Sequence, residues 1–124
     1  MAYELHVART RRWLKAASAP ITKTDVDELI ASDAELSWST SDFVEMEEDG
    51  ENVRYYMIVW RGESCFWWHK DQITCSHPSE GQQLKLVRIA QALGAYAVGD
   101  DDERYELRKG FFGKEKLVTI AGGA

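Results

Sequence analysis

The stretch from Val53 to Cys75, VRYYMIVWRGESCFWWHKDQITC, holds three of the chain's five tryptophans and reads as the middle of a β-sheet. Between Val53 and Trp60 nearly every residue is β-branched or aromatic, the types that suit a pleated, buried surface. Arg61-Gly62-Glu63-Ser64 follows as a turn, with Gly62 at the first central position of a type II′ loop. That reading sets Trp60 opposite Cys65, Val59 opposite Phe66, Ile58 opposite Trp67 and Met57 opposite Trp68. A second turn at Lys70-Asp71 sets Trp68 against Ile73 and Phe66 against Cys75. Upstream, Asp49-Gly50 is a type I′ signal that pairs Met46 with Val53, Glu45 with Arg54, Val44 with Tyr55 and Phe43 with Tyr56. Together the turns predict a four-strand antiparallel meander over about residues 36–77.

This register divides the sheet into two faces. Val44, Met46, Val53, Tyr55, Met57, Val59, Phe66, Trp68, Ile73 and Cys75 form an apolar set, expected to be the core face. The other face carries Glu45, Glu47 and Arg54, then Phe43, Tyr56, Ile58, Trp60, Trp67, His69, Gln72 and Thr74. Large aromatics beside carboxylates are the composition of a protein-binding surface. Its ordinary alternative is cover by the first helix or by the tail with Phe111 and Phe112.

The rest of the chain extends the meander. Tyr3, Leu5 and Val7 alternate with Glu4 and His6, a short amino-terminal strand. Thr22 or Thr24 caps a helix over about 23–32, with Val26, Leu29 and Ile30 on one stripe. A second helix spans about 79–93, with Ser79 as its cap, Leu86, Ile89, Ala90 and Leu93 as its buried stripe, and Gly94 ending it. Residues 95–98 read as a return strand, Gly99 to Glu103 as an acidic, solvated turn, and 104–107 as a further strand. Residues 108–124 are either an added edge strand or a flexible tail. The expected class is α+β, one globular domain over residues 1–124.

The formal net charge of -6, from 15 basic and 21 acidic residues, points away from nucleic acid and anionic membranes and towards a basic protein partner. The amino terminus lacks the features of a secretion signal, and no apolar run is long enough to span a bilayer, so a cytoplasmic location is expected. Cys65 and Cys75 fall on opposite faces of the expected register, which disfavours a disulfide.

No catalytic motif stands out. Cys65, His69, Cys75 and His77 are zinc-ligand types, but a two-residue turn at 70–71 points them to different faces; only a three-residue turn would align them. The acidic turn lacks the spacing of a calcium loop. No nucleophile elbow or phosphate-binding glycine loop is present. Catalytic residues, metal ligands and cofactors are therefore assigned as none.

The string Trp67-Trp68, Ile73, Pro78, then Ile89-Ala90-Gln91-Ala92-Leu93-Gly94-Ala95 and Gly99-Asp100-Asp101-Asp102-Glu103-Arg104-Tyr105 resembles a group of small bacterial proteins. Their pattern runs IAxxLGA, a strand, and a GDDGExY turn. The amino-terminal YELHVAR, the tryptophan and the proline before the first helix also match. The likeness covers most of residues 3–105, departs from the pattern at Asp102, where glycine is usual, and leaves a longer tail. These proteins are similar in size and acidity to immunity proteins of polymorphic toxin systems. The resemblance implies a non-enzymatic protein that neutralises a basic toxin domain through an acidic and aromatic surface. Glu45, Glu47, Tyr56, Trp60, Trp67 and His69 are the expected partner-binding residues. Two alternatives stand beside it: a small ligand-binding protein or enzyme with a pocket between the first helix and the aromatic face, and a homodimer that buries that face.

Overall fold

The computed structural model describes residues 3–69, 71–109, 113 and 115–120. In chain order it forms β1 (Glu4–Ala8), a 3-10 turn (Trp13–Ser18), α1 (Lys23–Ser32), β2 (Leu36–Glu48), β3 (Glu51–Trp60), β4 (Glu63–His69) and β5 (Gln72–Ser76). Then come α2 (Glu80–Leu93), β6 (Tyr96–Gly99), β7 (Arg104–Lys109) and β8 (Glu115–Ile120). The strands make one open antiparallel sheet in the order β2-β3-β4-β5-β1-β6-β7-β8. The α+β class holds, and the expected meander and two helices are β2 to β5, α1 and α2. Of the stretch 108–124, residues 115–120 form an edge strand on β7. Phe111 and Phe112 lie outside the described residues.

Local chemistry sets the helix ends. Thr22 Oγ1 accepts from the Asp25 amide and the Asp25 carboxylate accepts from the Thr22 amide, a reciprocal cap. Ser79 and Gln82 do the same for α2. Gly94 ends α2 at φ 62°, a left-handed conformation that glycine adopts without Cβ strain. Val26 and Leu29 of α1 and Leu86, Ile89 and Ala90 of α2 then pack with Leu5, Val7, Phe66 and Ile73 in one core. Both helices therefore lie on the sheet face that carries Leu5 and Val7.

The register of β3 against β4 corrects the expected one. Arg61 and Gly62 both have positive φ, 53° and 77°, so the loop is Arg61-Gly62 itself, with the twist sense of a type I′ turn. Trp60 pairs with Glu63 and Val59 with Ser64. A bulge at Cys65 then shifts the pairing, so that Ile58 meets Phe66, Met57 meets Trp67 and Tyr56 meets Trp68. Relative to the expectation, β3 slips one residue against the aromatic part of β4, and a one-residue slip exchanges faces. Tyr56, Ile58 and Trp60 now share the helix side with Phe66, Trp68, Ile73 and Cys75, whereas Tyr55, Met57 and Val59 lie opposite. The pairings of β2 with β3 and of β4 with β5 agree with the sequence reading.

The slip has a clear driving force. It places Ile58, fully buried, and Trp60, 8% exposed, in the core, where the indole lies over Phe66 at 5.9 Å between ring centroids. It also corrects the placement of the cysteines. Cys65 is the extra residue of the bulge, and its thiol turns to Gln82 of α2, the same side chain that lies 3.8 Å from Cys75 Sγ. Both thiols are free and both face the helices.

One ion cluster ties α2 to the α1–β2 connection. Lys85, 7% exposed, reaches Asp33 Oδ2 at 2.8 Å and Glu35 Oε1 at 2.6 Å. The hydrogen bond from Lys85 holds the Asp33 carboxyl below the usual carboxylate range. A depressed folded value contributes stability above the unfolded pKa of about 4, and that contribution is lost as pH falls through the lower folded value. Asp33→Asn is expected to lower stability at neutral pH and to flatten the decline of the urea midpoint below about pH 4; parallel declines in both chains would refute this role. At the hairpin, Gly62→Val is expected to cost about 1–2 kcal/mol because of its positive φ, while Arg61→Asn adds several tenths. Urea midpoints unmoved by either substitution would contradict the turn geometry.

Candidate functional site

With both α-helices on one side, the sheet presents a second face of different chemistry. The amino-terminal 3-10 turn covers part of it, because Trp13 lies flat on His6 with ring centroids 4.1 Å apart and planes 3° apart. Beyond Trp13, over β3, β4 and β5, lies a cleft of about 530 Å3. Tyr55, Trp67 and His69 form one wall, Thr74 and Gln72 the floor, and Glu4, His6 and Asp100 the other side.

Alternation along β1 places His6 here. Leu5 and Val7 enter the core on the helix side, so Glu4 and His6 must face the other way. His6 is only 2% exposed. A buried imidazole needs partners for both nitrogens, and it has them: Nδ1 lies 2.8 Å from Gln72 Oε1 and Nε2 lies 2.9 Å from Asp100 Oδ1. The Asp100 carboxylate only accepts, so Nε2 carries the hydrogen of that bond, and Nδ1 of the neutral ring is served by the Gln72 amide turned to present its NH2. Asp100 Oδ2 accepts from the Glu4 amide at 3.0 Å, and the Asp100 carbonyl accepts from Trp13 Nε1 at 3.2 Å.

The acidic turn is therefore built into the site, which corrects its reading as a merely solvated loop. Asp102 Oδ1 accepts from the Trp13 amide, and Glu103 Oε1 accepts from the Tyr3 hydroxyl at 2.7 Å. Tyr3 also lies 2.7 Å from the Tyr105 hydroxyl, and its own phenol is shifted upward, first by burial and then by these hydrogen bonds. Gly99 is needed beside them, since a Cβ there would overlap Tyr3 and Glu103.

On the other wall, His69 stacks on Tyr55 at 3.6 Å, and Tyr55 meets Trp67 edge-on at 5.7 Å. Of the residues expected to bind a partner, only Trp67 and His69 line this cleft. Trp60 is in the core, which corrects its assignment to the open aromatic face. Tyr56, paired with Trp68, lies on the helix side, where Lys23 Nζ sits 5.6 Å from its ring centre and the Arg54 guanidinium 5.9 Å from it. Glu45 pairs with Arg54 on that hairpin, and Glu47 is exposed further along β2. The six residues thus belong to both sides of the sheet. The residues missed were Glu4, His6, Trp13, Tyr55 and Asp100. Alternation in β1 could have placed the first two, but nothing local brings residues 13 and 100 beside them.

Burial pushes the Cys75 thiol up to about 12 and raises Cys65 as well, which removes thiolate character at neutral pH. His69 pairs with Gln72, so two residues remain in that connection; Cys65 and Cys75 face α2 while His69 faces the cleft. Among the described residues no three His, Cys, Asp or Glu side chains converge to hold a metal ion. No helix among them is long and apolar enough to cross a membrane.

No known family, curated protein or solved structure matches the chain.

The two aspartates at the start of the turn provide a comparison. Asp100→Ala is expected to cost about 2–4 kcal/mol, since it leaves a buried imidazole and the Glu4 amide unpaired, while exposed Asp101→Ala stays within about 0.5 kcal/mol of the parent chain. Urea denaturation measures both, and equal costs would show that Asp100 is not a structural acceptor.

Proposed function

We propose that this protein is a non-enzymatic binding module of the immunity-protein type, which holds a basic protein such as a toxin domain against the helix-free face of its sheet. The observation that carries this reading is the cleft, where half-buried Trp13, Tyr55 and Trp67 stand beside Glu4 and Asp100 and, among the described residues, no lysine or arginine forms part of the lining. Half-buried aromatics supply anchor area at low conformational cost, and acidic groups complement a basic partner. The net charge of -6 extends that complementarity to the whole molecule and favours fast capture. The upward-shifted thiols and the fully hydrogen-bonded His6 support a contact role over a reactive one. The resemblance to small acidic bacterial proteins points the same way and carries with it a cytoplasmic location.

The hairpin residues Glu45, Glu47 and Tyr56 fit this reading as a flank of the molecule and Trp67 and His69 as its centre. A small-molecule reading keeps one specific support, the volume of the cleft, which falls in the range of ligand sites. Its place is the side of the sheet away from α1. A homodimer through the same face is the third reading, and light scattering distinguishes it.

The test is co-expression with a candidate basic toxin domain, followed by binding measurements on the purified pair. Growth rescue is expected, together with tight binding that Trp67→Ala weakens by about 30-fold or more without lowering the urea midpoint. A neutralised toxin whose affinity is unchanged by Trp67→Ala would move the interface elsewhere. Failure to find any neutralised protein, with a small molecule raising the melting temperature instead, would replace the reading.

A further inference from the structure

On the helix side of the sheet, between the β3–β4 turn and the first part of α2, lies a cavity of about 410 Å3. Its lining gathers three cations, Arg61, Lys85 and Arg88, against one carboxylate, Glu35, a balance opposite to the chain's net charge of -6. The three cations are not equally engaged. Lys85 is matched by Asp33 and Glu35, and Arg88 donates from Nη2 to Glu115 Oε2 at 2.8 Å. Glu63, opposite Trp60 in the register, is exposed and outside the lining. The Arg61 guanidinium has neither a hydrogen bond nor an ion pair among the described residues, and it lies 4.6 Å from the centre of the Trp60 ring. A guanidinium resting on an aromatic ring keeps its N–H donors available.

Trp60 adds a second donor without an acceptor. It lines the same cavity and is 8% exposed, and its Nε1 is buried with no hydrogen-bond partner among the described residues. Buried donors in folded chains nearly always have an acceptor. A charged donor and an orphaned neutral donor on adjacent residues therefore call for an oxygen anion. Leu84 and Gly81 make the rest of the lining apolar.

We propose that this cavity binds the carboxylate of a small organic acid. The Arg61 guanidinium donates to the carboxylate oxygens, Trp60 Nε1 supplies the neutral donor, and the apolar body of the acid lies against Leu84 and Gly81. Arg61 alone brings unmatched positive charge, one unit for one unit of negative charge, and its planar fork fits the two oxygens of a carboxylate. The volume falls in the range of small-molecule sites. The site lies across the sheet from the docking surface proposed above and stands independently of it.

The probe is benzoate, titrated into the full chain at constant ionic strength while the Trp60 indole N–H resonance is followed. Benzamide, uncharged and of the same shape, and inorganic phosphate are the comparisons. A saturable shift is expected with benzoate, about tenfold weaker or absent with benzamide, and reduced by added salt. Arg61→Asn suits the left-handed turn position, so its urea midpoint should equal or exceed the parent's while benzoate binds about tenfold more weakly or not at all. No saturable shift at the Trp60 indole, equal affinity for benzoate and benzamide, phosphate bound more tightly than benzoate, or benzoate affinity unchanged in Arg61→Asn each overturns the proposal.

Discussion

Everything in this molecule depends on the pairing of β1 on both of its edges. Residues 4–7 pair with β5 on one side and residues 5–8 with β6 on the other, and residues 5–8 are all buried. The two blocks that follow, β2 to β5 and β6 to β8, are local meanders whose strands pair with their sequence neighbours. Neither block contacts the other through the sheet except across this one five-residue strand. Its side chains reinforce the backbone ladder: Leu5 and Val7 enter the core on one face, while on the other His6 joins Gln72 of β5 to Asp100 of the β6–β7 turn. Two hydrogen bonds on a single imidazole thus span the junction of the blocks.

The same junction produces the asymmetry from which the functional reading grows. Both α-helices pack on the Leu5 and Val7 side, so that face is sealed by aliphatic contacts. The opposite face receives what alternation leaves over: Glu4, His6, Tyr55, Trp67, His69 and Thr74. Its histidines are held in place by Asp100, Gln72 and the rings of Trp13 and Tyr55, and they act as supports for aromatic surface. Rings and carboxylates on one sheet face are the features on which the proposed docking of a basic partner rests.

The bulge at Cys65 determines which aromatics become surface and which become core. One extra residue in β4 moves Tyr56, Ile58 and Trp60 under the helices and turns half-buried Tyr55 and buried Met57 to the opposite face. It also turns the Cys65 thiol towards the helix that already covers Cys75. A difference of one residue in a turn thereby sets the composition of a whole sheet face, because side chains alternate strictly along a strand.

Much of the architecture is legible in the residues themselves. Thr22 and Ser79 caps, the Leu86, Ile89, Ala90 and Leu93 stripe, Gly94 and the Asp49-Gly50 turn act through neighbours a few positions away, so the helices and the β2–β3 hairpin follow directly from the sequence. Period-two alternation likewise declares β1, β6 and β7 as strands. What the sequence leaves undetermined is decided at longer range. Arg61-Gly62 and Gly62-Glu63 are both acceptable two-residue loops, and the choice rests on how well Ile58 and Trp60 fill the space beneath α1 and α2. The cleft assembles residues 4, 6, 13, 55, 67, 69, 72, 74 and 100, brought together only when β1 docks between the two meanders. Local backbone preferences therefore wrote the elements, whereas the burial of apolar side chains across distant strands selected the register and, with it, the face that the α-helices leave uncovered.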